Sequence, residues 1–291
     1  MNINRRTADE QRSPSIGLEH LTLRAEPLPV FISAAAAGGA ETICLSVEHP
    51  RLHDWAGLRE TRTQLDASNI SVAMGDGFLL QPQVGLDRLE RNLDLLAEIG
   101  APLANTCAYE PDPDIERDPG YIEDLLGEFC RIARTAGIGV LLEFTPLSHV
   151  PSLASAADLV QRLGQPNLQI LIDTLHLARA GEGPDDLRKV DQRLIGYCQL
   201  SDGPLVSESL SAYLDEALYD REIPGQGQLP LEEELSLLPR DITISAEVPL
   251  RRLAQAGISP EERARRILDG SRSLLARAWA ALPTGPQPPP S

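Results

Sequence analysis

Four short apolar runs in the second half of the chain each end in an oxygen-bearing side chain. Glu143 closes the run in LLEFTP, and Asp173 closes LQILID with His176 three residues on. Gln199 and then Asp202 end YCQLSDGP, and Glu247 ends ITISAEVP. Three carboxylates gathered in one place repel one another unless a cation lies between them. Carboxylates joined by an amide oxygen suit a hard or borderline divalent ion with five or six ligands, leaving positions open for substrate oxygens. Taken singly, each acid is as easily the N-cap of the helix after its run. A shared site is favoured because four successive runs carry such a residue at the equivalent position.

The elements that must position these residues follow from the periodicity. Eight apolar runs recur: Ile16–Leu23, Glu41–Val47, Ile70–Met74, Pro102–Ala108, Ile138–Phe144, Leu168–Ile172, Leu194–Leu200 and Ile242–Glu247. Seven longer segments lie between them and one follows the last. Val84–Ile99 places Leu86, Leu89, Leu93, Leu95, Leu96 and Ile99 near one helical face,. Glu123–Ala136, Leu153–Leu163 and Glu261–Ala280 behave alike, and Pro230 opens a helix over Leu231–Leu238 with glutamates in its first turn,. Near-continuous apolar strands alternating with helices predict a parallel sheet covered by helices. The α/β class and the count of eight fit a single (β/α)8 barrel, with chemistry at the C-terminal strand ends. An open doubly wound sheet is the alternative. Its glycine-rich phosphate turn is missing, since Leu23 is followed by Arg-Ala-Glu-Pro,. The barrel is expected over residues 15–281, with a disordered polar tail over 1–14 and a disordered proline-rich tail over 282–291.

Composition limits the partners. The 291 residues hold 43 acids against 26 bases, a formal charge of −17. That balance repels a phosphate backbone and predicts no nucleic-acid partner. No apolar run is long enough to span a membrane, and Met1–Ser15 lacks the apolar core of a secretory signal,. Cys44, Cys107, Cys130 and Cys198 form no C-x-x-C pair and read as buried free thiols of a cytoplasmic protein,. Lys189, the single lysine, lies in a charged, helix-like stretch, which argues against a Schiff base,. The expected partner is a small-molecule substrate, with a homo-oligomer as an open possibility.

These motifs carry a resemblance. The stretch from about Leu141 to Leu250, with LLEFTP, LIDTLHLARAG, YCQLSDGP, DREIPGQGQLPL and ISAEVP, resembles the xylose isomerase-like TIM-barrel superfamily of sugar and sugar-phosphate isomerases and epimerases. The opening GLEHLTL resembles the start of such a barrel. The resemblance implies that Glu143, Asp173, Gln199 and Glu247 bind one divalent metal, with Mn, Mg or Co favoured and Zn a further option. It implies that His176 and Arg221 contact substrate. One turn departs from the family pattern: Pro-Gly-Glu-Gly is here Pro224-Gly225-Gln226-Gly227, which removes a carboxylate near the loop.

The implied chemistry is isomerisation or epimerisation through a metal-stabilised enediolate, with Glu143 and Glu247 removing and returning a proton. A lyase is the alternative, because similar barrels with a Glu, Asp, Gln, Glu metal set include 3-dehydroshikimate dehydratases. An arginine for a substrate carboxylate would favour that reading, and this chain is rich in arginine. A barrel that binds a small ligand without turnover is the third reading. The endonuclease branch of the superfamily uses three zinc ions and many histidines, and this chain has five histidines. His20 is a further expected substrate contact, with Thr22, Asp76, Phe78, Asn105, Cys107 and Tyr109 as pocket candidates. The acidic Glu110–Arg117 segment reads as a loop near the mouth, either a lid or simply solvated.

Overall fold

The computed structural model describes residues 16–81, 85–110, 112 and 114–280. Both expected tails, 1–14 and 282–291, lie outside the described residues, as do Ser15 and Ala281 at the ends of the expected barrel. Eight parallel strands close into a barrel: β1 (Gly17–Leu18), β2 (Thr42–Ser46), β3 (Ser71–Leu79), β4 (Leu103–Cys107), β5 (Gly139–Glu143), β6 (Leu168–Asp173), β7 (Ile195–Leu200) and β8 (Thr243–Ala246). Each strand pairs with its sequence neighbour, and β1 closes the ring on β8. Register places the site residues side by side: Cys107 faces Glu143 across β4–β5, and Asp173 faces Gln199 across β6–β7.

The helices used below are α1 (Leu28–Ala37), α2 (Trp55–Ser68), α3 (Leu86–Ile99), α4 (Glu123–Thr135), α5 (Leu153–Leu163), α6 (Thr174–Arg179), α7 (Pro184–Leu187), α8 (Leu210–Tyr219), α9 (Leu231–Leu237), α10 (Arg251–Gln255) and α11 (Pro260–Ala280). The periodic faces bury as their spacing predicts. Leu89, Leu93 and Leu96 of α3 are buried, as are Leu126, Phe129 and Cys130 of α4. The expected start of the α3 segment, Val84, lies outside the described residues. Inside the barrel Cys44, Met74, Leu141, Leu171 and Tyr197 pack as a small plug, separate from the larger layer between strands and helices. The cysteines are free, and three are buried. Among the described residues no helix is long and apolar enough to cross a membrane.

Two strands differ from their sequence runs. The Ile16–Leu23 run is a strand only over Gly17–Leu18, and His20–Leu23 then wind into a 3-10 turn. Thr22 holds that turn, because its hydroxyl donates to the Ala246 carbonyl at 3.2 Å and accepts the Val248 N–H at 2.9 Å. The third run extends past Met74 to Leu79. The Gly75-Asp-Gly77 stretch looks like a turn, yet Phe78 and Leu79 regain pairing with Thr106 and Cys107. Gly77 absorbs the irregularity at φ +108°, a conformation that side chains disfavour,.

Candidate active site

The four expected ligands stand at the C-terminal mouth, as strand ends in a barrel should. Glu143 and Asp173 are the last residues of β5 and β6, Gln199 lies one residue from the end of β7, and Glu247 follows β8 directly. Asp173 meets both sequence readings at once. Its Oδ1 caps α6, accepting the N–H of Leu175 at 2.8 Å and of His176 at 3.1 Å. Its Oδ2 is left for the site, where it accepts from Arg221 at 2.7 Å.

Asp202 is different, although it too follows a strand. Its carboxylate accepts the backbone N–H groups of Gly203, Gly225, Gly227 and Leu229 at 2.8–3.1 Å. It is the centre about which the Pro224–Gly227 turn wraps, and a side chain at Gly227 would come within 2.3 Å of Asp202 Oδ1. Gln226, the departure from the family pattern, lines an outer crevice with Leu253 and Arg265, away from the four ligands. The clamp instead sets the neighbouring Arg221. Asp220 and Glu222 pair outward with Arg252. Arg221 turns inward and is buried.

Arg221 is the cation of the site. Its terminal nitrogens reach Asp173 Oδ2 at 2.7 Å and Glu247 Oε2 at 2.8 Å. Its Nε donates to the Ala217 carbonyl at 3.0 Å, and Nη1 also reaches Ser201 Oγ at 3.2 Å. Burial raises the Asp173 carboxyl, but Arg221 and His176 outweigh it and hold the group down to about 2,. Burial pushes Glu247 well above the usual carboxylate range, against the pull of Arg221, and the acids Asp173, Glu19 and Glu143 add to that push.

His176 Nε2 lies 3.3 Å from Glu143 Oε1 and 3.7 Å from Asp173 Oδ2. Glu143, Asp173 and His176 each offer an atom within 4.8 Å of the others, close enough to share an ion. The far ring nitrogen of His176 is 2.8 Å from the Tyr213 hydroxyl, which meets Thr145 Oγ1 at 2.6 Å. Glu143 Oε2 accepts from Asn105 Nδ2 at 2.7 Å, and the same amide reaches Asp76 at 3.2 Å. Glu143, His176, Asp76, Gln199, Glu247 and Arg221 line one cavity of about 320 Å3.

Gln199 tests whether a metal fits. Its amide nitrogen donates to Glu19 Oε2 at 3.4 Å and Glu247 Oε1 at 3.3 Å. That leaves its carbonyl oxygen buried and without a partner. Buried polar atoms are nearly always satisfied, so a neutral oxygen turned out beside carboxylates fits a cation ligand. The oxygen-rich donor set of Glu143, Asp173, Gln199 and Glu247 suits a divalent ion.

Several participants escaped the sequence reading. Glu19, at the end of β1, is buried, accepts from the Tyr197 hydroxyl at 2.8 Å, and is raised by burial. It sits in GLEHLTL, but nothing local separates it from an ordinary helix-start acid. Tyr213, the partner of His176, comes from α8, for which the apolar runs carried no signal. Asp76, by contrast an expected pocket candidate, is pushed up to about 7 by burial and by the charges of Glu143 and Glu19. His20 is placed beside this cavity, in a neighbouring one that shares Glu247 and Asp76 with it. In the Glu110–Arg117 loop, Glu110 is tied to the segment after β5 through the Leu147 carbonyl and His149. Residues 111 and 113 lie outside the described residues.

The chain is similar in sequence to several curated proteins. A 3-dehydroshikimate dehydratase of Pseudomonas aeruginosa is 26% identical over 212 residues, which is 70% of this chain and 33% of that protein. An inosose isomerase of Bacillus licheniformis is 30% identical over 158 residues, 53% of this chain and 55% of the relative. The chain thus spans about a third to a half of the length of the curated relatives it matches. Among solved structures, the IolI protein with a bound zinc atom superposes with a TM-score of 0.77 at 17% identity, covering 91% of this chain and 99% of that one. A probable 3-dehydroshikimate dehydratase of Bacillus anthracis superposes at 0.71 and 15% identity over 86% of this chain and 97% of that one. At these identities the structures show the fold alone. The profile of xylose isomerase-like TIM barrels matches residues 32–274. With the closed eight-stranded barrel, that match makes this chain a member of the xylose isomerase-like TIM-barrel family.

Proposed function

We propose that the protein is a divalent-metal-dependent isomerase or epimerase of a small polyhydroxylated ketone. The observation that carries this reading is the unpartnered Gln199 carbonyl beside Asp173, Glu247 and Glu143 at one barrel mouth. Glu143, Asp173, Gln199 and Glu247 are the proposed ligands. A divalent ion held there polarises a substrate carbonyl and makes the neighbouring C–H more acidic.

The protein's own residues do the rest. Glu143 and Glu247 are the paired acid and base: one carboxylate takes the proton from carbon and the other returns it. Return to the opposite face inverts a carbinol centre, and return to the adjacent carbon exchanges ketose and aldose. Asn105 holds Glu143 through the 2.7 Å contact, and Gln199 and Arg221 hold Glu247. Tyr213 orients His176 toward the carboxylates, where the imidazole can bond a substrate oxygen. The wider reading that the protein acts in the cytoplasm on a small molecule is supported by its free cysteines and its acidic charge.

Dehydration of a 3-dehydroshikimate-like acid is the second reading. The glutamine at the third ligand position and the match to the Pseudomonas dehydratases over 70% of this chain favour it. Against it stands Arg221. The arginine that would have met a substrate carboxylate is committed to Asp173, Glu247 and the Ala217 carbonyl.

The test incubates the purified protein with Mn, Co or Mg and either ketoses, 2-keto-myo-inositol or 3-dehydroshikimate. Products are followed by NMR and by ultraviolet absorbance. An isomer of unchanged mass, lost on treatment with a chelator, is expected. Formation of an ultraviolet-absorbing aromatic acid alone selects dehydration. Activity indifferent to chelator overturns both readings.

A further inference from the structure

One buried carboxylate beside the site is not among its proposed ligands. Glu19 follows β1 directly and is only 1% exposed. Its backbone N–H donates to the Ala246 carbonyl at 2.9 Å, which seats it next to the end of β8. The proton transfers proposed above make no use of it.

Its partners come from one face of β7. Side chains two apart on a strand point the same way, so Tyr197 and Gln199 both face the barrel interior,. The Tyr197 hydroxyl donates to Glu19 Oε1 at 2.8 Å, and Gln199 Nε2 donates to Glu19 Oε2 at 3.4 Å. Each oxygen of Glu19 thus meets a donor from the same strand. Tyr197 is itself fully buried, packed with Cys44, Met74, Leu141 and Leu171 in the barrel plug. Its hydroxyl is therefore a fixed point from which Glu19 is held.

A glutamine amide has one end that only donates and one that only accepts. The Gln199 nitrogen lies near a second carboxylate as well, Glu247 Oε1 at 3.3 Å. The end that faces two carboxylates must be the NH2, since an oxygen there would bring three acceptors together with no proton between them. The carbonyl oxygen is then the end left buried without a partner. Of the two acceptors, Glu19 alone is not a proposed ligand. Glu247 is one, and its other oxygen already accepts from Arg221 at 2.8 Å.

We propose that Glu19 is a positioning residue of the metal site: anchored by Tyr197, it takes the Gln199 N–H and so keeps the Gln199 carbonyl oxygen as the end offered to the ion. The inference rests on the proposed function for the metal site itself. Glu19 acts here as a hydrogen-bond acceptor, so an uncharged acceptor of the same length can replace it. Groups that orient a metal ligand in this way tune its affinity without touching the ion.

Manganese titration of the metal-free protein, read by the paramagnetic resonance signal of the free ion, tests it. Glu19→Met removes the acceptor and should raise the Kd for manganese about 10–100-fold. Tyr197→Phe keeps the ring in the plug but releases Glu19, and should raise the Kd about two- to tenfold. Glu19→Gln accepts from Gln199 through its carbonyl and donates to Tyr197 through its NH2, so its Kd should stay close to that of the wild type. In a Gln199→Ala background, Glu19→Met should add little further loss. Where Glu19→Met fails to fold by circular dichroism, Tyr197→Phe and Glu19→Gln decide. A Kd unchanged in both Glu19→Met and Tyr197→Phe overturns the proposal. So does a loss in Glu19→Gln as large as in Glu19→Met, because the charge and not the accepted bond would then be the cause. The full Glu19→Met loss in the Gln199→Ala background also overturns it. Wild-type protein that binds no manganese removes the metal site and this proposal together. The expected order of affinities without any isomer formed keeps the role of Glu19 and removes only the proposed reaction.

Discussion

The two sides of the barrel mouth treat buried charge in opposite ways. On the β5–β8 side each acid has a charged or ionisable neighbour: Arg221 joins Asp173 to Glu247, and His176 lies 3.3 Å from Glu143. On the β1–β4 side Glu19 and Asp76 have neutral partners. Glu19 accepts from Tyr197 and Gln199, Asp76 accepts from Asn105, and His20 Nε2 has no partner. The difference shows in proton affinity. Asp173 is held down to about 2, whereas Asp76 is pushed up to about 7 and Glu19 is raised as well. The built-in cation holds Asp173 down, but it does not offset burial at Glu247, which is pushed well above the usual carboxylate range,. A side without one leaves its buried acids with raised proton affinity,. Asn105 and Gln199 form the seam, since each amide bonds an acid from both sides.

The sharpest break is at the proposed acid and base. Glu143→Gln and Glu247→Gln should each lower kcat by about 10²–10⁴-fold, the range for general acid–base groups. Circular dichroism should show the fold intact, and wild-type rates in either variant would remove the assignment.

Next comes the built-in cation. Arg221→Leu leaves Asp173 and Glu247 buried without it, which should cost about 3–5 kcal/mol of stability in metal-free protein. Added manganese should then raise the melting temperature of the variant more than that of the wild type. Equal shifts would mean that the arginine and the ion do not serve the same carboxylates. Asp173→Ala should lower bound metal per chain, and unchanged stoichiometry by elemental analysis would refute that ligand.

A control lies outside both sides. Glu234 of α9 is buried with both carboxylate oxygens unpartnered, and burial, then Asp202 and Glu233, push it up to about 8. Its folded value is above the ordinary 4.5. The stabilising contribution of its neutral form is therefore complete below pH 4.5 and lost as pH rises through about 8,. Denaturant unfolding at pH 5 and pH 9 should show a loss of about 1–3 kcal/mol that Glu234→Gln reduces. A variant with the same pH slope as wild type would show that another group carries it.

The smallest effect is expected at Tyr213→Phe. Losing the 2.8 Å contact to His176 should cost about 0.5–1.5 kcal/mol, read as a severalfold fall in kcat/KM,. An unchanged value would show that Tyr213 does not position the imidazole.

Much of this was legible in the chain. Strand ends and helix faces are local features, so apolar runs and their closing residues located Glu143, Asp173, Gln199 and Glu247 within the barrel. Locality also explains the misses. The run Ile16–Leu23 reads as one strand because its hydrophobicity is continuous, yet a bond from Thr22 to Ala246, 224 residues away, turns it into a short helix. Asp202 looks like a fifth ligand by position, and only the returning Gly225–Leu229 loop shows that its oxygens are taken. Arg221 sits between two acids in sequence, and nothing local shows that it turns inward to Asp173 and Glu247.

By itself, then, the sequence determined the barrel and the oxygen-rich ends of its last four strands, because periodicity and strand termination are properties of short segments. Only the tertiary structure decided the partners: that Arg221 neutralises Asp173 and Glu247, that Tyr213 backs His176, and that His20 faces a second cavity. Which charges meet depends on ring closure and on loops that return from tens to hundreds of residues away, and no local pattern encodes that distance.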